Sequence, residues 1–302
     1  MRLELGINTC FAVKRWPRPA DWAPIVRDRL GLRLVEHSLD LVDLTGHPAE
    51  ETAAVNSAGR EFGLEVRSTF TGLAAYSSNL LLSPDTAGRD RALDFFRQAI
   101  AFSRSVGAVV VGGHVGAFSV PDWRDPEQRS ERWEWLRTAL HDLAADAHAF
   151  GQKAVLVENL AAAREPSTMA MIRDLMVEPD AGHAAVRLAL DVGHMCVPGT
   201  SGDDRDPYAW LRELGRAAFE VQIQQSDEAG DHHWPFTPDA NARGRIDADR
   251  VIDALGEAGV EELPLILEII PPFEQEDSSV LDDLAASAHY WLEALTRRGV
   301  VG

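Results

Sequence analysis

Cysteine is scarce in this chain: Cys10 and Cys196 are the only two among 302 residues. Two thiols cannot build a disulfide framework or a Cys-rich zinc site, and they favour a reducing cytoplasm. Lysine is equally rare, with only Lys14 and Lys153, so nearly all of the 29 cations are arginine. No apolar run approaches the ~18 residues that a membrane-spanning helix needs. A basic-then-apolar leader is missing too, because Arg2 is followed at once by Glu4 and the strand-like Leu5-Gly6-Ile7. Nothing here suggests a membrane partner. Positive charge is also short, with 48 carboxylates against 29 cations and a net charge of −19. Such a surface repels nucleic acid, whose non-specific binding depends on Lys and Arg neutralising phosphates.

What the chain has is ordinary globular material, 45% hydrophobic and 25% charged, in a pattern that repeats about eight times. Short β-rich runs alternate with longer amphipathic helical stretches. The predicted strands are Leu3 to Asn8, Leu32 to Ser38, Leu64 to Phe70, Ala108 to Gly113, Ala154 to Glu158, Val186 to Asp191, Phe219 to Gln224 and Leu265 to Ile270. Continuous apolar runs such as Val109-Val110-Val111 suit strands buried on both faces of a parallel sheet. Helical patterns lie between them, among them Asp90 to Ser105, Glu131 to Phe150 and Ser279 to Thr296. Ser83-Pro84 and Asp125-Pro126 read as helix openings, and Gly107, Gly151 and Gly259 as residues just past helix ends. No Ser- or Gly-rich linker divides residues 1–302, so the expectation is a single α/β domain, a (β/α)₈ TIM barrel. An open dinucleotide-binding sheet is disfavoured, since the first loop, Asn8-Thr9-Cys10-Phe11-Ala12, has no glycine-rich phosphate pattern.

Barrel chemistry sits at the carboxyl ends of the strands. There the fifth strand delivers Glu158-Asn159, the sixth Asp191-Val192-Gly193-His194 and the eighth Glu268, while the seventh carries Gln222 and Gln224 on one face. Buried carboxylates must pair, protonate or bind a cation, and no Lys or Arg adjoins these three. One divalent metal accounts for all of them, with oxygen-rich ligation favouring Mn²⁺ or Mg²⁺ over a structural zinc and leaving Co²⁺ or Zn²⁺ open. Helix capping is the plainer reading of any one alone.

The run Leu190-Asp191-Val192-Gly193-His194, with Val157-Glu158-Asn159 before it and Leu267-Glu268 after it, resembles the xylose isomerase-like TIM barrel superfamily in its sugar and sugar-phosphate isomerase/epimerase branch. The likeness covers nearly the whole chain. It implies a metal held by Glu158, Asp191, Gln224 and Glu268. Gln224 departs from the His-x-His strand usual in that family. Its carbonyl can still ligate a hard cation, and a rigid strand positions a ligand better than the loop bearing His232 and His233. The resemblance further implies that Glu158 and Glu268 move the proton of an enediolate mechanism, and that His194 hydrogen-bonds a substrate oxygen. Barrels of this branch are often homo-oligomers. The first loop through Trp16 and the segment Gln224 to Phe236 are similar to a subgroup acting on tetrulose phosphates.

A phosphate at the mouth calls for a cation, and Lys14, Arg15, Arg67 and Arg164 are the candidates, Lys14 foremost because lysine is so rare here. For each arginine a surface ion pair is the plainer reading. His114, bounded by glycines, is expected to line the sugar site with His233, and Phe11 and Trp234 to form its apolar walls. The favoured function is a metal-dependent ketose or ketose-phosphate epimerase/isomerase. A lyase or dehydratase on a cyclic polyol or oxidised glycoside shares the proton abstraction, and a sugar-binding barrel without chemistry is a further reading. An abasic-site endonuclease would need a His-rich multi-zinc site and a basic track, both missing.

Overall fold

A computed structural model describes residues 1–302. Eight parallel strands close into a barrel in sequence order, β1 pairing with β8 as well as β2. They are β1 Arg2–Asn8, β2 Leu34–Ser38, β3 Glu65–Phe70, β4 Val110–Gly113, β5 Ala154–Glu158, β6 Ala185–Asp191, β7 Ala218–Ile223 and β8 Glu262–Leu267. The expected strands are all present, with β8 displaced toward the amino end: it starts at Glu262 and runs through Pro264. Pairing still reaches the site, because Glu268 N donates to Ile223 O at 3.0 Å.

The outer layer is built chiefly by helices Pro48–Phe62, Thr86–Ser105, Pro126–Ala149, Pro207–Leu214, Ala248–Glu257 and Asp277–Arg298. Asp125 caps its helix as expected, accepting from Glu127 N and Gln128 N. The Ser83-Pro84 opening is corrected to Asp85, whose carboxylate accepts from Gly88 N and does the capping better than a serine hydroxyl bonded to that same carboxylate. Gly107, Gly151 and Gly259 hold φ of 83°, 73° and 73° past their helices. No helix is long and apolar enough to cross a membrane.

Strand alternation sorts side chains into two populations. Val155, Val157, Leu188, Leu190, Val221 and Ile223 face outward into the large apolar layer under the helices. Phe70, Val110, Ala154, Leu156, Ala185 and Ala189 form a much smaller cluster inside the barrel. The remaining interior is polar: Glu36, Ser68, Glu220 and Gln222 are fully buried there. The period that turns Ala154 and Leu156 inward also turns Glu158 inward, and the same holds for Ala189 and Asp191.

His37, on the outward face of β2, is buried against Trp22 and Phe102. Burial pulls its pKa down to about 4. The unfolded chain therefore takes up a proton near pH 6.5 that the folded chain refuses until about pH 4, so stability present at neutral pH is lost as pH falls between them. We expect this residue to contribute about 3 kcal/mol of the acid sensitivity. His37→Leu should flatten the drop in urea midpoint between pH 7 and pH 5, and an unchanged slope would remove His37 as its source.

Candidate functional site

Glu158, Asp191 and Glu268, from the ends of β5, β6 and β8, place carboxylate oxygens within 4.8 Å of one another, all buried. Asp191, His194 and His233 form an overlapping group within the same limit. Of these, Glu158, His233 and Glu268 line a cavity of about 320 Å³, together with Cys10, Leu73 and Tyr76. A larger cavity of about 680 Å³ lies beyond Thr71 and Gly72, but its one carboxylate, Asp40, is turned toward Ala74 N.

The loop after β7 completes the site. It folds back on its own strand through paired Gln225–Trp234 backbone bonds of 2.9 and 3.0 Å. That return drops Asp231 and His233 beside His194 and Asp191. His233 takes a left-handed φ of 48°, rare for a side-chain-bearing residue. Its Nε2 lies 3.2 Å from Asp231, and its Nδ1 lies 3.1 Å from Glu268 O and 3.8 Å from the Glu268 carboxylate. His194 Nδ1 meets Asn159 O at 2.7 Å. Its Nε2 lies 3.3 Å from Asp231 and 3.7 Å from Asp191.

Gln224 takes a different part from the one its strand position suggested. Its carbonyl accepts from His233 N at 2.6 Å, and its NH₂ donates to Asp191 at 3.1 Å and to Asp231 at 2.8 Å. Reversing the amide would set oxygen against two carboxylates and NH₂ against an N–H, so this orientation is fixed. The expected carbonyl ligand is thus engaged elsewhere. Gly193 makes room for it, because a Cβ there would lie 2.3 Å from the Gln224 amide carbon.

The electrostatics reflect crowding. Burial, reinforced by the charges of Asp191, Glu36 and Asp231 and opposed by His194, pushes the Glu158 carboxyl well above the usual range. Burial, then Glu158, Asp191 and Glu36, does the same to Glu268. For His194, burial disfavours the cation, but Asp191, Asp231 and Glu158 outweigh it and raise its pKa well above normal. Asp231 is the reverse: burial disfavours its charge, yet His194 and His233 hold it far below the carboxylate range. A cation suits this donor set. Glu268 Oε2 is buried without any hydrogen-bond partner, and hard carboxylate oxygens dominate.

Several predicted residues fall elsewhere. His114 is buried under the Tyr76 ring, 4.5 Å between centroids, with Nε2 at 3.3 Å from Glu165; Tyr76 takes the lining place instead. Arg164 donates to Phe118 O and staples two loops, so its guanidinium is engaged. Arg67 lies over Phe219 nearer the opposite end of the barrel. Trp234 stacks on His232 and lies beneath Arg243 rather than walling the cavity. Phe11 and Lys14 line a smaller cavity of about 210 Å³ that shares Cys10, Leu73 and Ile270 with the main one. Arg15, in the same lining, is tied to Asp277 and to Pro272 O and Phe273 O. Asp231 was missed as a site residue. Its only sequence signal was an acid beside two histidines.

The geometry agrees with what the chain is similar to. Residues 27–289 match the model of the xylose isomerase-like TIM barrel family. A D-erythrulose 1-phosphate 3-epimerase of Brucella abortus (strain 2308) is 28% identical, over 96% of each chain. A Rhodospirillum rubrum ATCC 11170 protein provisionally named a xylose isomerase superposes with a TM-score of 0.88 at 32% identity, covering 96% of this chain and 99% of its own. D-psicose 3-epimerase of Clostridium cellulolyticum H10 shares the fold, with a TM-score of 0.68 at 18% identity over 97% and 99% of the two chains. This chain belongs to the xylose isomerase-like TIM barrel family.

Proposed function

We propose that the chain is a divalent-metal-dependent ketose epimerase, with a ketose phosphate as its preferred substrate. The observation that carries this reading is the meeting of three buried carboxylates, Glu158, Asp191 and Glu268, with no lysine or arginine among them. Glu158, Asp191, Glu268 and His233 would hold the metal, with His233 in place of Gln224. A bound divalent ion supplies Lewis acidity toward a carbonyl and the negative charge that develops on it. Glu158 and Glu268 flank the cavity, one taking the proton next to the substrate carbonyl and the other returning one to the opposite face. His194, its Nδ1 held by Asn159 O, would present Nε2 to a substrate oxygen. Tyr76 and Leu73 restrict water at the mouth.

The testing experiment follows a panel of tetruloses, pentuloses, hexuloses and their phosphates by NMR in D₂O with Mn²⁺. Deuterium entering beside the carbonyl with inversion and without elimination is the expected result. Net loss of water or of an alcohol would assign the lyase reading, and no exchange with any ketose would remove the epimerase one. The metal set has its own test: His233→Ala should weaken Mn²⁺ binding by about 10–100-fold, and Gln224→Leu much less. The reverse order would return the ligand role to Gln224.

The preference for phosphate rests on Lys14. Its Nζ sits 4.6 Å above the Phe273 ring, in the cavity joined to the main one, while neighbouring Arg15 is bound to Asp277. Lys14→Ala is expected to raise KM for a ketose phosphate by about 30–100-fold, the loss of one charge-assisted contact, and to leave the free sugar unaffected. Equal effects on both substrates would place the phosphate elsewhere.

A further inference from the structure

A second buried acidic group lies inside the barrel below the carboxylates of the site, and the mechanism makes no use of it. We infer that Asn8 is a positioning residue which decides which oxygen of Glu268 faces the substrate, and that Glu36 anchors it. The inference rests on the reading that Glu268 moves the proton.

The Asn8 amide is fixed at both ends. Its Oδ1 accepts from Cys10 N at 2.8 Å, which commits Nδ2 to the other side. There Nδ2 donates to Glu36 Oε1 at 2.8 Å and to Glu268 Oε1 at 3.1 Å, one hydrogen for each carboxylate. An inverted amide would put oxygen against two carboxylates and NH₂ against an N–H. Glu268 Oε1 is therefore engaged. Glu268 Oε2, buried and without a partner, is the oxygen left for cation or substrate.

Glu36 is anchored in turn. Its Oε1 also accepts from Gln222 Nε2 at 2.9 Å, and its Oε2 lies 3.2 Å from the Ser68 hydroxyl. That hydroxyl is 2.9 Å from Glu220 Oε2. Glu36, Ser68, Glu220 and Gln222 have no solvent exposure at all. Burial drives both carboxyls upward. Apolar residues would fill that space at lower cost. Glu220 Oε1 and Gln222 Oε1 are even left unpartnered. A rigid support for a catalytic carboxylate gives the network a reason to exist, because a site built without one loosens.

The test uses three variants of the full chain, Asn8→Ala, Glu36→Leu and Glu36→Gln, in Mn²⁺. In Glu36→Gln the amide oxygen can still accept from Asn8 and Gln222 while its NH₂ turns toward Glu220, so kcat should stay within about threefold of wild type. Asn8→Ala and Glu36→Leu should lower kcat by about 10–100-fold, with KM within about threefold and one Mn²⁺ still bound. Should Glu36→Leu fail to fold, Asn8→Ala carries the comparison. Wild-type kcat in Asn8→Ala, or equal losses in Glu36→Gln and Glu36→Leu, would overturn the inference. A crystal structure of Asn8→Ala with Mn²⁺ gives a readout that holds even if no ketose reacts. A rotated Glu268 carboxylate supports the positioning role, and an unmoved one rejects it.

Discussion

Glu268→Gln is expected to lower solvent exchange into the ketose substrate by about 10³-fold or more while leaving the fold intact. Removing a positioned acid or base alone typically costs about 10²–10⁴-fold, and this carboxylate also stands in the proposed metal set. The amide is nearly isosteric, and its oxygen can still accept from Asn8, which now bonds Glu268 Oε1 at 3.1 Å. The substitution removes a buried charge that sits with Glu158 and Asp191, so the metal-free variant should melt no lower than the metal-free parent. Circular dichroism and melting temperature in chelator, set beside the exchange rate, check both halves. Undiminished exchange would take Glu268 out of the chemistry. A collapsed fold would make the residue structural.

Metal removal should have a comparable effect. Three carboxylates in mutual reach repel one another when nothing positive lies between them, and they attract a divalent ion for the same reason. Chelation is expected to abolish exchange, and about one Mn²⁺ per chain should restore it. Mn²⁺ at 100 times its Kd would stabilise the folded state by about 2.7 kcal/mol. Asp191→Asn should remove both the restored activity and the stabilisation. Full exchange after exhaustive chelation, with no metal found by elemental analysis, would end the metal-dependent reading.

The sequence was most legible where a local rule sufficed. Alternation along β5 and β6, together with the end of an apolar run, was enough to aim Glu158 and Asp191 inward, and the same holds one residue past β8 for Glu268. Glycines after helices were readable because a left-handed φ is a local demand. Residues whose place depends on how a loop returns were not. Asp231 reaches the site only because Trp234 pairs back with Gln225, a contact no spacing announces, whereas His233, expected at the sugar site, arrives there by the same return. Arg164 was misread for a similar reason, since its reach toward Phe118 is set by a neighbouring loop. Gln224 was placed on the correct face, but the N–H that claims its oxygen belongs to that same returning loop and could not be read from the strand. Glu36 and Glu220 sit mid-strand among apolar neighbours. In most sheets such a residue faces water, and only closure of the barrel turns it into a buried acid.

The close fit of Gly193 under the Gln224 side chain bears on how this active site can evolve. The two positions are epistatic: no residue with a β-carbon can enter at 193 until the side chain at 224 becomes smaller or swings aside. A lineage, or a directed-evolution library, that introduces an imidazole at 224 has to keep the glycine fixed or change both codons together.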